Sequence, residues 1–238
     1  MCWPRNPRWK PRCYGCWAGN SLVGVQPERV LPLVVRVEKA APPSRTDALE
    51  AAARAVLLMV TTDDPQWRED VDAWAGNRIR KVVRRARGAE WRRALALPGT
   101  TVTTGSAEVR VYPPIPLDEW PRDLARLQVS GTELDDAAPP PPPAAGTPLV
   151  LLAPDVEMTA GKAMAQAGHA AQLGLWSLEP AVAAAWAADG FPLAVRVATA
   201  RQWAAADGPV VHDAGFTEVA PGAATAAFSW NPGDRSLT

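Results

Sequence analysis

The chain has 238 residues, a formal net charge of zero and 47% apolar residues. That is enough apolar side chain to bury a core, in one large domain or two small ones. No run reaches the roughly 18 apolar residues of a membrane-spanning helix, which excludes such a span. The balanced charge hides an asymmetry. Residues 1–147 carry 21 Lys/Arg against 17 Asp/Glu, whereas residues 148–238 carry four against eight.

Residues 1–28 show neither helical nor strand period, and read as a disordered extension or the product of an upstream start-codon assignment. They are basic and rich in Trp and Pro, without the apolar core of a secretory signal. Cys2, Cys13 and Cys16, the only cysteines, all lie here. Disulfide stapling is therefore not expected, which fits a reducing cytoplasm. Cys13 and Cys16 form a CxxC, but a zinc site needs about four ligands. The two histidines, His169 and His212, are distant in sequence. The thiols read as incidental.

Ordered sequence is expected from about Val30. Leu31 to Val37 is an apolar, β-branched run that suits a strand. Asp47 to Val60 is apolar on nearly every face and predicts a buried helix, N-capped by Ser44 or Thr46. Residues 61–76, with Trp67 and Trp74, suit a second helix. A strand over Ile79 to Ala86, a short helix over Ala89 to Leu97 ended by Pro98 and Gly99, and a strand over Glu108 to Tyr112 follow. Residues 29–118 thus make a first unit.

Composition then breaks. Pro139 to Pro143 are five consecutive prolines, which favour extended polyproline II. Residues 119–147 are expected to be a stiff linker. A second unit, residues 148–230, opens with a strand over Pro148 to Leu152. Helices over Gly161 to Trp176 and Glu179 to Ala188 come next, the latter ended at Gly190. A strand over Phe191 to Val197, a helix over Thr199 to Ala206, and strands over Val210 to His212 and Ala223 to Phe228 complete it. Residues 231–238 are a tail.

The two units look alike. Pro32-Leu-Val-Val matches Pro148-Leu-Val-Leu. The ten residues from Val82 to Trp91 match those from Ala194 to Trp203. Gly105 to Val109 matches Gly215 to Val219. The offsets are 116, 112 and 110, so small insertions suffice. The pattern reads as a diverged tandem duplication. Strands alternating with helices argue an α/β class, three-layer α-β-α with a small mixed sheet, in both units.

Two segments of the second unit carry chemistry. In the first, Gly161 opens a helix, where free N–H groups favour negative charge and a missing side chain lets a ligand approach. Lys162 adds a full charge, and Gln166 lies one turn further on the same face. In the second, Asp213, Thr217 and Thr225 lie within a strand–turn–strand whose turn is made by Gly215. An Asp–Thr pair can position a water; a turn capped by its own side chains is the simpler reading of these residues.

Together the segments resemble the archaeal/eukaryotic-type peptidyl-tRNA hydrolase family. The correspondence covers Met158, Gly161, Lys162, Ala165, Gln166, His169 and Ala170. It continues through Asp213, Ala214, Gly215, Thr217, Ala220, Pro221, Gly222 and Thr225, in order and at matching spacing, over about 85 residues. The resemblance implies hydrolysis of the ester between a nascent peptide and the 3′ ribose of tRNA, in the cytoplasm and without metal or cofactor. It implies catalytic roles for Lys162, Asp213, Thr217 and Thr225, and substrate contacts for Gly161, Gln166 and Gly215. His169 reads as structural.

Ala160 stands where the family pattern has its first lysine, and the second unit is net acidic. The competing reading is therefore a weak or inactive relative that binds RNA or protein. The first unit has Thr46, Glu50, Thr103 and Ala107 opposite Lys162, Gln166, Asp213 and Thr217. It lacks the chemistry but carries Arg78, Arg80, Lys81, Arg84, Arg85, Arg87, Arg92 and Arg93 close to Trp74 and Trp91. Cations beside aromatics suit RNA, and a solvated face is the plainer alternative. The family forms homodimers, so an intramolecular pseudo-dimer or a homodimer is expected.

Overall fold

A computed structural model of the chain describes residues 27–215 and 219–230. The cysteines and Thr217 lie outside the described residues.

The first unit runs β1 (Arg29–Arg36), α1 (Arg45–Val60), α2 (Pro65–Ala75), β2 (Lys81–Ala86), α3 (Gly88–Leu95), β3 (Thr100–Thr104), β4 (Ala107–Val111), β5 (Ile115–Pro116) and α4 (Arg122–Ala125). The second runs β6 (Leu149–Leu152), α5 (Ala160–Ser177), α6 (Pro180–Ala188), β7 (Ala194–Val197), α7 (Ala200–Ala204), β8 (Val210–His212) and β9 (Ala224–Ser229). Local chemistry sets the helix starts. Ser44 caps α1 through the Asp47 amide, and Asp64 with Pro65 starts α2. Thr199 and Gln202 form a capping box on α7. Gly190 follows α6 with φ of 75°, the left-handed closure expected there.

The protein is α/β, with two mixed sheets. Their strand orders are β2-β1-β4-β3 and β7-β6-β9-β8. In each, the first pair is parallel and the next two are antiparallel. Alternate residues of a strand face opposite sides. Leu31, Leu33 and Val35 of β1 therefore join the main core, while Val34 packs with Trp91, Tyr112, Leu124 and Leu127 on the other face. Helices thus cover both sides of the first sheet. The second sheet repeats the plan, with Val150 and Leu152 in the main core and Leu149 and Leu151 beside Trp203.

The two units share that main core because α1 and α5 pack on each other. Contact with a sheet on one side and α5 on the other explains why α1 is apolar all round. Small residues let the two helices meet. A Cβ on Gly168 would lie 2.7 Å from Val56 Cγ2. Polar fasteners flank the seam. Glu50 accepts hydrogen bonds from Arg196 Nη1 at 2.7 Å and the Val195 amide at 3.2 Å.

Residues 119–147 differ from the expected spacer. Leu124 and Leu127 are buried behind the first sheet, and Leu134 lies in the main core. Arg84 donates to the carbonyls of Ala125 and Leu127 at 3.2 and 2.5 Å, and Arg85 to that of Ser130 at 2.9 Å. Asp136 accepts from the Thr46 amide and hydroxyl at 2.9 and 2.7 Å, sealing the start of α1. Isolated apolar residues at 124, 127 and 134 sufficed to anchor a segment whose composition is otherwise that of a loop. Within it, the proline run lies largely at the surface. Strand β3 was also not expected. It is a threonine-rich partner to β4, joined through Gly105 at φ of 50°.

Candidate active site

The strands β6 and β8 both run antiparallel to β9, so they are parallel to each other. Their carboxyl ends lie at one edge of the sheet, the edge where open α/β sheets hold ligands. Helix α5 starts at that edge, and Asp213 directly follows β8.

Lys162 and Gln166 are four residues apart on α5 and so share a face. Both reach Asp213. Its Oδ2 accepts hydrogen bonds from Lys162 Nζ and, at 2.6 Å, from Gln166 Nε2. Its Oδ1 accepts from the Gly215 amide at 2.8 Å. The carboxylate is only 7% exposed. Burial pushes its pKa up, but the bonds from Lys162, Gly215 and Gln166 and the nearby Lys162 charge outweigh that and hold it below the ordinary carboxylate range. It stays ionised at neutral pH.

Gln166 is 3% exposed, and its Oε1 is buried without a hydrogen-bond partner. The carboxylate fixes the amide with nitrogen towards Asp213. The oxygen is therefore left as an open acceptor. Buried unpaired acceptors are costly, and each asks for a donor.

Gly215 holds the carboxylate in two ways. It has φ of 77°, and a Cβ there would lie 2.3 Å from Pro221 Cγ. The Asp213 amide bonds the Ala223 carbonyl at 2.9 Å, and the Gly222 amide bonds the Asp213 carbonyl at 2.7 Å. These two bonds tie Asp213 to Gly222 and Ala223.

Gly161 and Thr225 depart from expectation. The Gly161 amide donates to Thr132 Oγ1 at 3.1 Å, so a protein hydroxyl takes the place expected for a substrate anion. The missing side chain admits Thr132, because a Cβ would lie 2.7 Å from that hydroxyl. The next amide, of Lys162, donates to Thr159 Oγ1 at 3.3 Å. The Thr225 hydroxyl is fully buried and donates to the Val211 carbonyl at 3.3 Å. It braces β8 against β9. Thr132 was invisible to sequence reading, since nothing in its loop-like surroundings marks a cap for a distant helix. Thr132→Val should cost about 1–2 kcal/mol in urea denaturation, by orphaning that buried amide, while Thr132→Ser should cost less than half as much.

The cations of residues 78–93 do not form one face. Arg80 pairs with Glu28 at 2.8 Å, with Arg78 at 3.9 Å from the same carboxylate. Arg84 and Arg85 hold the connecting segment, and Arg84 lies over the Trp120 ring at 4.4 Å. Arg92 and Arg93 are exposed on α3, and Arg93 lies 3.4 Å from Asp123. Arg87 occupies the N-cap position of the same helix, and its side chain makes no cap hydrogen bond. That helix covers the face of the first sheet opposite α5, away from Asp213.

Lys81 is buried in the seam. Its Nζ donates to Gln172 Oε1 at 2.6 Å and to the Ile79 carbonyl at 3.4 Å, and lies 3.0 Å from His169 Nδ1. The Trp74 ring lies beneath it at 4.9 Å. Position 81 reads as one more cation of a basic run, and only the fold shows it turned inward.

Among the described residues, no group of three or more His, Cys, Asp or Glu could hold a metal ion, and no helix is long and apolar enough to cross a membrane. No family model, curated protein or solved structure matches the chain.

Proposed function

We propose that the protein hydrolyses the ester joining a peptide to the 3′ ribose of tRNA. The observation that carries this reading is the Asp213–Lys162–Gln166 cluster, with its buried open acceptor. The order and spacing of the residues around Lys162 and Asp213 support it.

In this reaction water donates a hydrogen bond to Gln166 Oε1 and its oxygen attacks the ester carbonyl carbon. The Lys162 ammonium stabilises the oxyanion that forms. Asp213 holds that ammonium and the amide in place; its pKa lies below the ordinary carboxylate range, so it orients rather than accepts a proton. The carbon–O3′ bond then breaks. One proton of the water ends on the 3′ oxygen, and the other is released as the peptide leaves as a carboxylate. Thr217 completes the polar set that the resemblance implies.

The first unit is a diverged copy in this reading, paired with the second as a pseudo-dimer. Shared strand order supports that origin. Glu50, opposite Gln166, is spent on Arg196.

A binding role without turnover is favoured by one observation, the occupation of the Gly161 amide by Thr132. Release of peptide from N-acetyl-aminoacyl-tRNA by the full-length protein separates the two. Turnover is expected, with kcat/KM lowered roughly 10–100-fold in Gln166→Leu and the melting temperature unchanged or raised. A folded wild-type protein no faster than the variant would transfer the reading to a module that binds RNA or protein.

A further inference from the structure

A second feature lies at the same sheet edge. An open cleft of about 660 Å³ is bounded by Leu152, Pro154, Val156, Met158 and Val197 of the second unit and by Arg45 of the first. Its volume suits a small ligand or a few residues of peptide. Val197, at the end of β7, is 62% exposed, although its neighbours on β6 are buried. Large apolar side chains left open beside a cleft are what an apolar ligand would cover.

The charges narrow the ligand class. Arg45 donates to the Met158 carbonyl at 3.0 Å, and Glu157 also lines the cleft. Among the described residues, neither pairs with an opposite charge. One cation balanced by one carboxylate within apolar walls is poor for a polyanion, which needs unbalanced positive charge. It suits a neutral, largely apolar chain whose carbonyls and amides can use the two charged groups.

Position narrows it further. The cleft sits at the carboxyl ends of β6 and β7, and Asp213 at that of β8. These strands are two to three places apart in the order β7-β6-β9-β8. At ~4.8 Å per strand the separation is roughly 10–14 Å. Three or four extended residues span about that distance.

We propose that this cleft binds the peptide portion of peptidyl-tRNA, holding the residues upstream of the ester, with Arg45 making it a site shared by both units. The assignment rests on the hydrolase reading. It also gives the first unit a direct part in substrate binding.

The test uses the full chain and a fluorescein-labelled N-acetyl-Leu-Ala-Leu amide, which cannot be turned over as an ester. Saturable binding is expected by anisotropy. Val197→Glu, at an exposed position, should raise Kd at least tenfold, and Arg45→Ala at least threefold. For tRNA carrying the same tripeptide, Val197→Glu should raise KM with kcat kept. For tRNA carrying one N-acetylated residue, it should change neither. No saturable binding, or a Kd and KM indifferent to Val197→Glu, would overturn the assignment even if Asp213→Ala abolishes turnover. Peptide binding lost in Val197→Glu, in a protein without turnover, would support the peptide site and refute the hydrolase.

Discussion

Asp213→Ala should lower kcat/KM for N-acetyl-aminoacyl-tRNA by roughly 10³-fold, the largest loss of any single change at the site. The carboxylate holds both side chains on which the chemistry depends. Lys162 and Gln166 each spend a hydrogen bond on Oδ2, and no second carboxylate pairs with Lys162 among the described residues. With alanine at 213 the Lys162 ammonium is free to turn to solvent, and the Gln166 amide can rotate and exchange its nitrogen and oxygen. The oxyanion donor and the water acceptor are lost together. Asp213→Asn separates the two functions. Its amide oxygen can still accept from Gln166 or Lys162, but the negative charge that keeps Lys162 in place is gone, so an intermediate loss of about 10²-fold is expected. The losses of Asp213→Ala and Gln166→Leu should be far from additive, since one positions the other. The pH profile is a further check. Asp213 titrates below the ordinary carboxylate range, so it should contribute no acid limb between pH 5 and pH 8. Loss of activity in the variant with an unchanged melting temperature would place the effect in the site; equal activity of wild type and Asp213→Ala would remove Asp213 from the mechanism.

Much of this site was legible because it depends on short-range spacing. Lys162 and Gln166 fall on one helical face by their separation alone. Gly215 marks a turn by its residue type, and the observed loop uses it so. Element types were equally readable wherever a period ran long enough, as in α1 and α5. Three kinds of feature were not readable. The cap that Thr132 provides for α5 joins residues 29 positions apart through a segment without helical or strand period. Strand β3 has two faces of mixed polarity and is defined by its ladder with β4, a tertiary fact. The inward turn of Lys81 conflicts with the usual cost of burying a charge, and its compensation comes from α5, 88 residues away. The arginines beside it show the same limit. A cluster along the sequence becomes three ion pairs, two backbone clamps and a few exposed groups once the strand and helix point them in different directions.

Lys81→Ala should destabilise the protein by about 1–3 kcal/mol in urea denaturation, the cost of leaving buried acceptors without their donor. The substitution leaves Gln172 Oε1, His169 Nδ1 and the Ile79 carbonyl without their shared donor, and uncovers the Trp74 face, inside the seam that joins the units. Burial pushes the Lys81 pKa well down from its ordinary value. A second variant tests the explanation. Replacing both partners, Lys81→Met with Gln172→Leu, removes donor and acceptor together. It should recover more than half of the loss, because apolar replacements of similar shape can match a buried polar pair. The network also predicts a pH dependence. Burial, then the charges of Lys81 and Lys162, hold the His169 pKa well below its ordinary value. In the unfolded chain that histidine takes up a proton near pH 6.5. Its contribution is therefore fully present above that pH and is lost as the pH falls through 6.5 towards the lower folded value. Stability should fall measurably between pH 8 and pH 5. His169→Gln should remove that slope and leave the stability at pH 8 changed far less than Lys81→Ala does. A wild-type stability flat from pH 8 to pH 5, with a mild Lys81→Ala, would mean that the seam is held by the packing of α1 on α5 alone.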